Sequence, residues 1–250
     1  MAEKKQYGIG LGVLSPTALK TFATCPRKYQ AMYITKEVKY TQSPAAVRGD
    51  KLHTLMEAAC REGWNTIQWP EAGNMQHARG FVQAVANLKA AGWLVRPELQ
   101  TAVSRDGKTK DWFDKAPESF LRSRIDICAT NPAFPYAIVI DWKTGKKYDV
   151  DTIQLAINAM CLQPQTGISD YKMIFAYLDS GDVVEHSCHL PPVPFSRYGE
   201  VVHQLHPDVA KVYELIGTLE EQYKVDVWPE RANRFCGWCD VQSCPKKQGR

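Results

Sequence analysis

The sequence has no apolar run approaching the ~18 residues of a membrane-spanning helix, so a helical membrane anchor is not expected. Its opening, MAEKKQYGIGLGVL, sets two lysines before an apolar patch, but the patch is shorter than a signal-peptide core and lacks a small-residue cleavage site. No internal repeat or low-complexity linker interrupts the chain, which excludes solenoid and tandem-array architectures. Excess charge is scarce: 31 Lys and Arg face 27 Asp and Glu, and the net +4 is compatible with a polyanionic partner without demanding one. No helicase motif is present, so any duplex unwinding would require a partner.

What the sequence does contain is 250 residues with 44% hydrophobic and 23% charged content, enough for one sizeable core, and residues 1–250 read as a single domain. Eight cysteines without an export signal point to a reducing cytoplasm, where thiols serve metals, catalysis or packing rather than a disulfide framework.

The local patterns alternate between two periods. Ser15 before Pro16 has the form of a helix N-cap, opening a helix with Leu19, Phe22 and Ala23 on one face, which Pro26 interrupts or restarts. Helical spacing returns over about 45–62 (Leu52, Leu55, Met56, Ala59) and 75–91 (Phe81, Val82, Val85, Leu88). WLVRPELQTAV, SFLRSRIDICA and YAIVIDWK then read as strands of a meander, with SRDGKTKD and TNPAFP as the turns. DTIQLAINAMCLQ is helical, YKMIFAYLDSGDVVEHSCHL resembles two more strands, and a last helix over roughly 196–224 leads into RFCGWCDVQSCPKKQGR. The fold class is α/β: a central mixed sheet flanked by helices, with a small knot at the end.

The stretch IVIDWKTGKK, residues 138–147, carries the chemistry. Alternate side chains of a strand share a face, so Asp141 and Lys143 project together while Trp142 points away. Asp126, in SRIDI, and Glu98, in RPELQ, lie on other strand segments, and adjacent strands can bring all three carboxylates to one ammonium. Two carboxylates ~4 Å apart repel by about 4 kcal/mol at an effective dielectric near 20. A divalent cation removes that repulsion, and hard oxygen ligands suit Mg²⁺ or Mn²⁺, which can polarise a phosphodiester. Alone, the Asp-x-Lys tripeptide is common, and its charges are equally those of a strand leaving the core.

The wider company of motifs resembles the RecB-type branch of the PD-(D/E)xK nuclease superfamily. SPTALKTFATCPRKYQ resembles its opening helix running into Cys-Pro-x-Lys-Tyr; RGDKLH resembles its Gly-x-x-x-His element; RPEL and SRIDI match its glutamate and first-aspartate strands; IDWKTGK matches Asp-x-Lys-Thr-Gly; and DTIQLAINAM resembles the helix bearing Gln154. The resemblance implies a restriction-endonuclease-like core, with His53, Asp126 and Asp141 as metal ligands and Glu98, Lys143 and Gln154 completing the catalytic set. Neutral imidazole at His53 would make Mn²⁺ a reasonable activator beside Mg²⁺. Two positions depart from the family pattern: Ser123 stands where glycine is usual, and Asn158 where tyrosine is usual.

CGWCDVQSC supplies three thiolates, at Cys236, Cys239 and Cys244. The resemblance supplies a fourth at Cys25, because relatives such as the AddB nuclease domain and the CRISPR-associated iron-sulfur exonucleases close a [4Fe-4S] cluster with one N-terminal and three C-terminal cysteines. Here the last gap is four residues where five is usual. Residues 14–35 and 225–250 would thus form an iron-sulfur subregion joining the two ends of the chain. A Cys₄ Zn²⁺ site is the alternative that the first spacing also permits. Cys60, Cys128, Cys161 and Cys188 read as buried small hydrophobes, and alternation on a strand accounts for His186, Cys188 and His189 better than a further metal site does.

Basic residues at Arg27 and Lys28, Arg122 and Arg124, Lys146 and Lys147, and Lys246 and Lys247, near Tyr29, Trp142 and Trp238, suit phosphate contact and base stacking on single-stranded or frayed DNA ends. No base-reading motif appears. The expected activity is a sequence-tolerant, metal-dependent DNA exonuclease; the alternatives are an accessory DNA-binding subunit with a silent site and an RNA or flap endonuclease. The resemblance implies a bacterial, archaeal or phage-encoded protein with partners in recombination, unwinding or CRISPR adaptation.

Overall fold

The computed structural model describes residues 11–39, 41–69, 75–145, 147, 151–191 and 205–246. The segment before residue 11, Lys146, Lys247 and the expected start of the last helix at 196–204 lie outside the described residues.

Helix α1 (Pro16–Thr24) begins as its sequence dictates: Ser15 Oγ accepts from Ala18 N at 3.3 Å, and Pro16 occupies a position whose N–H would have no helical partner. Cys25 is extended, and Pro26 restarts the chain as α2 (Pro26–Tyr29), which runs into a π-turn over Gln30–Ile34. The same Ser-Pro device opens α3 (Pro44–Glu62), where Ser43 accepts from Ala46 N, and Gly63 ends it at φ +106°. Helix α4 spans Gln76–Ala90.

Six strands follow: β1 (Leu94–Val103), β2 (Thr109–Lys110), β3 (Leu121–Thr130), β4 (Tyr136–Lys143), β5 (Asp170–Tyr177) and β6 (Val183–His189), in the sheet order β2-β1-β3-β4-β5-β6. The turn expected at SRDGKTKD thus also contributes the two-residue edge strand β2. Among the strand pairs of the described residues only β4–β5 is parallel, and the helix between them, α5 (Thr152–Thr166), provides the crossover that a parallel pair requires.

The last helix, α6, occupies Pro207–Val225. The chain is non-helical at 205–206, and Pro207 takes the first turn of this helix. On one face of the sheet α1, α5 and α6 bury Leu19, Phe22, Leu155, Met160, Val212 and Leu219 with Val139 and Phe175. On the other face α3 and α4 bury Met56, Val82 and Val85 against Ile127, Ile140 and Trp142. Helix α5 is covered on both sides, so nearly every residue from Leu155 to Leu162 is buried.

Cys60, Cys128, Cys161 and Cys188 are buried, as packing residues should be. Burial pushes the thiols of Cys60 and Cys188 up to about 12, far from thiolate chemistry.

Candidate active site

The site lies where β3 and β4 part. Their ladder runs from Thr130 opposite Ala137 to Ile127 opposite Ile140. Beyond it, Trp142 N donates to Asp126 Oδ2 at 2.7 Å, so a carboxylate takes the place of a partner strand. Asp126 Oδ1 is 3.0 Å from His53 Nδ1 on α3. One residue of β4 away, the Lys143 ammonium lies 2.5 Å from Asp141 Oδ2 and donates to Gln154 Oε1 at 2.9 Å. The Gln154 amide in turn donates to Asp141 Oδ1, closing a three-membered network between β4 and the first turn of α5. Trp142 points the other way, into the α3–α4 layer, as strand alternation requires.

Glu98 reaches this site by a local break in β1. Leu99 and Ile125 pack with the α1–α5–α6 layer, while Val95 and Ile127, of the same parity, pack with α3 and α4. The facing therefore switches across the Glu98–Asp126 position. Glu98 sits there at φ +49°, a left-handed conformation that costs a non-glycine residue about 1 kcal/mol. The result is that donor atoms of His53, Glu98 and Asp126 lie within 4.8 Å of one another. Pro97 was the available signal, since proline within a strand marks an edge or a bulge.

Glu98 also meets Arg124 Nε at 3.0 Å. Gly49 lets α3 approach the Asp-x-Lys-Thr-Gly loop: a methyl there would stand 3.3 Å from Thr144 Oγ1. Arg48 and Gly145 N both bind Asp179, tying α3, β4 and the loop after β5 together.

Crowding raises the acids. Burial, and then the charge of Asp126, push Glu98 up to about 7 and Asp141 up to about 6. Burial depresses His53, but the hydrogen bond and charge of Asp126, with Asp141 and Glu98 behind it, outweigh that and raise it. Without metal the protein is therefore expected to melt higher at about pH 5.5 than at about pH 7.5, by roughly 2–4 °C per kcal/mol of repulsion relieved. Between the ordinary carboxylate range and about 7, the folded chain holds protons on Glu98 and Asp141 that the unfolded chain has released, so stability falls as pH rises. His53 acts in the same sense, its raised value adding stability that is lost as pH climbs through it. Melts in chelator at both pH values check this; equal or greater stability at the higher pH would rule out the crowding.

The four predicted cluster cysteines meet at one cavity. Cys25 is buried and Cys236, Cys239 and Cys244 are half-buried, and all four line a space of about 250 Å³ with Lys20, Arg27 and Lys28 among its walls. Arg231 N points at Cys25 Sγ (3.5 Å) and Asn233 N at Cys236 Sγ (3.3 Å). Arg27 N bonds Pro229 O, and the Arg27 guanidinium binds Glu37 and Ser243, so the two ends of the described chain are held together by ordinary contacts as well. Among the described residues no three of these sulfurs lie within 4.8 Å of one another. That is wider than the about 3.8 Å between ligands of a tetrahedral Zn–thiolate centre.

A groove runs from Gln154 along Ser15, Thr17, Lys20, Trp112, Arg122 and Arg124. The Arg122 guanidinium lies 5.4 Å from the Trp112 ring centre, and the neighbouring Phe113 is 78% exposed. Two aromatic assignments are corrected here. Tyr29 stacks on Tyr33 and Trp228 in the core, and Trp142 is 2% exposed, so neither can stack on a base; Trp238, 67% exposed, can. Trp112 and Phe113 went unrecognised because DWFD sits in an irregular segment with no periodicity to mark its exposed face. The two departures from the family pattern meet one another: Ser123 Oγ donates to Asn158 Oδ1 at 2.5 Å, both buried.

The mixed sheet thus opens where Asp126 and Asp141 stand near Lys143. Residues 13–245 match the family model of the PD-(D/E)XK nuclease superfamily, and the chain belongs to that superfamily. Among solved structures the chain is similar to the crystal structure of SSO0001, at 17% identity and a TM-score of 0.48, covering 95% of this chain and 88% of that one. It is also similar to an alkaline exonuclease (LHK-Exo) from Laribacter hongkongensis, at 10% identity and a TM-score of 0.31, covering 86% of this chain and 93% of that one. No curated protein matches the sequence. Among the described residues no helix is long and apolar enough to cross a membrane.

Proposed function

We propose that the protein is a divalent-metal-dependent deoxyribonuclease that degrades DNA from single-stranded or frayed ends without regard to sequence. The observation that carries this reading is the convergence of His53, Glu98 and Asp126 on one point, with the Asp141–Lys143 pair beside them where β3 and β4 separate. The buried, mutually repelling carboxylates fit a hard cation, and His53 makes the set hospitable to Mn²⁺ as well as Mg²⁺. Such a cation, when bound, polarises the scissile phosphate and lowers the pKa of water.

The chain supplies the remainder. Lys143 holds a positive charge where negative charge develops on the phosphate, and Gln154 fixes both Lys143 and Asp141 so that neither must reorganise during the reaction. Lys20, Arg122 and Arg124 place cations along the approach groove, and Trp112 and Phe113 offer faces for unpaired bases. Exposed aromatics beside cationic side chains favour an unpaired and sequence-tolerant substrate.

The four cysteines are read as holding a [4Fe-4S] cluster with a structural role. The single cavity that all four cysteines line, and the backbone N–H groups aimed at Cys25 and Cys236, support a thiolate-held metal centre there. A reducing cytoplasm is the compartment in which such thiols and such a substrate would meet.

The test is an assay of end-labelled single- and double-stranded DNA with Mg²⁺ or Mn²⁺ beside a covalently closed circular control. Progressive shortening of the linear strands with an intact circle is the expected result. A nicked circle would convert the reading to an endonuclease, and DNA binding without cleavage would convert it to an accessory subunit.

A further inference from the structure

We propose a second transition-metal site, suited to Zn²⁺, at the β6 end of the sheet, formed by His186, His206 and Asp208. It is independent of the nuclease reading. His186 lies on β6, the edge strand; His206 caps the N-terminus of α6, and Asp208 sits in its first turn. One donor atom from each lies within 4.8 Å of the other two. His186 Nε2 is 2.8 Å and His206 Nδ1 3.4 Å from the same Asp208 oxygen, and the two imidazoles meet edge-on with centres 5.6 Å apart.

Ligands about 2.1 Å from a tetrahedral Zn²⁺ stand about 3.4 Å from one another, close to the present spacing, and His206 Nδ1 would exchange its long capping contact from Asp208 N (3.4 Å) for the ion. Two imidazoles and one carboxylate select a borderline cation such as Zn²⁺ over Mg²⁺, which demands oxygen ligands and keeps its waters. All three side chains are half-buried, between one-fifth and one-third exposed, which leaves room for a water as fourth ligand.

The surroundings mark this triad as specific. His189, on the same strand, turns to the exposed Asp170 at 2.8 Å and takes no part, and Cys188 packs into the core. With β5 lying between β6 and the strand bearing Asp141, the triad shares no residue with the nuclease centre. A metal here would fasten β6 to the helix that leads into the cysteine segment.

The experiment is zinc binding by the full-length protein after gel filtration, read by elemental analysis together with iron. Wild type and His189→Ala are expected to retain one zinc more per chain than the double variant His186→Ala/His206→Ala. They should also show a zinc-dependent rise in melting temperature that the double variant lacks, while Mn²⁺-dependent DNA cleavage is unchanged in all three. Should the alanines fail to fold, judged by circular dichroism, His186→Gln is read in the same way. In the wild type itself, zinc is expected to slow carbethoxylation of His186 and His206 at least about tenfold, mapped by mass spectrometry. Equal zinc content and equal melting shifts in wild type and variant, or unprotected histidines at saturating zinc, would overturn the proposal.

Discussion

Asp141→Ala is expected to lower DNA hydrolysis by more than about 100-fold, a loss equivalent to about 3 kcal/mol of transition-state stabilisation. It should do so without unfolding the protein. Asp141 is buried at the end of β4 with Asp126 nearby, and the repulsion between them already pushes its carboxyl up to about 6. Alanine relieves that repulsion but also strips Lys143 and the Gln154 amide of their shared partner, so in chelator near pH 7.5 the variant is expected to stay folded and melt somewhat lower than wild type while losing metal affinity. Lys143→Ala separates the two roles: cleavage falls while calorimetry still detects metal, because the ammonium neutralises charge without ligating. Turnover near the wild-type level in Asp141→Ala, measured with Mg²⁺ and with Mn²⁺, would remove the carboxylates from the reaction.

The second large effect belongs to the cysteines. The protein purified without oxygen is expected to be brown, and Cys25→Ser, Cys236→Ser, Cys239→Ser or Cys244→Ser to lose colour, iron and solubility together. Linking residue 25 to residue 236 closes a loop of about 210 residues, worth about 5 kcal/mol in the chain-entropy model. The contacts of Arg27 with Glu37 and Ser243 are half-exposed and recover only a small part of that. Cys60→Ala, on the far face of the sheet, should keep both colour and iron. A colourless wild type with one zinc in this cavity and full activity would replace iron with zinc.

Much of this was legible in the residues. Ser15-Pro16 declared one helix start, and the alternation of Asp141, Trp142 and Lys143 declared which side chains share a face. What stayed hidden depended on partners remote in sequence. Tyr29 and Trp142 have the amphipathic chemistry of base stackers, and only the layer packed over each, Trp228 in one case and α4 in the other, shows that they are core. The left-handed turn at Glu98 follows a proline that hints at a break without giving its direction. His186 looked like an alternating strand residue until α6 brought His206 and Asp208 across to it.

The Ser123–Asn158 hydrogen bond changes how relatedness should be counted. Position by position, the chain differs from the family pattern twice, on a strand and on a helix 35 residues apart. Physically the two positions occupy one buried space, where a small hydroxyl meets an amide. Reverting either alone would leave a collision or an orphaned polar group, so intermediates between the two states are disfavoured. Lineages should therefore carry one pair or the other, and a chimaera assembled with its crossover between β3 and α5 would inherit the mismatch.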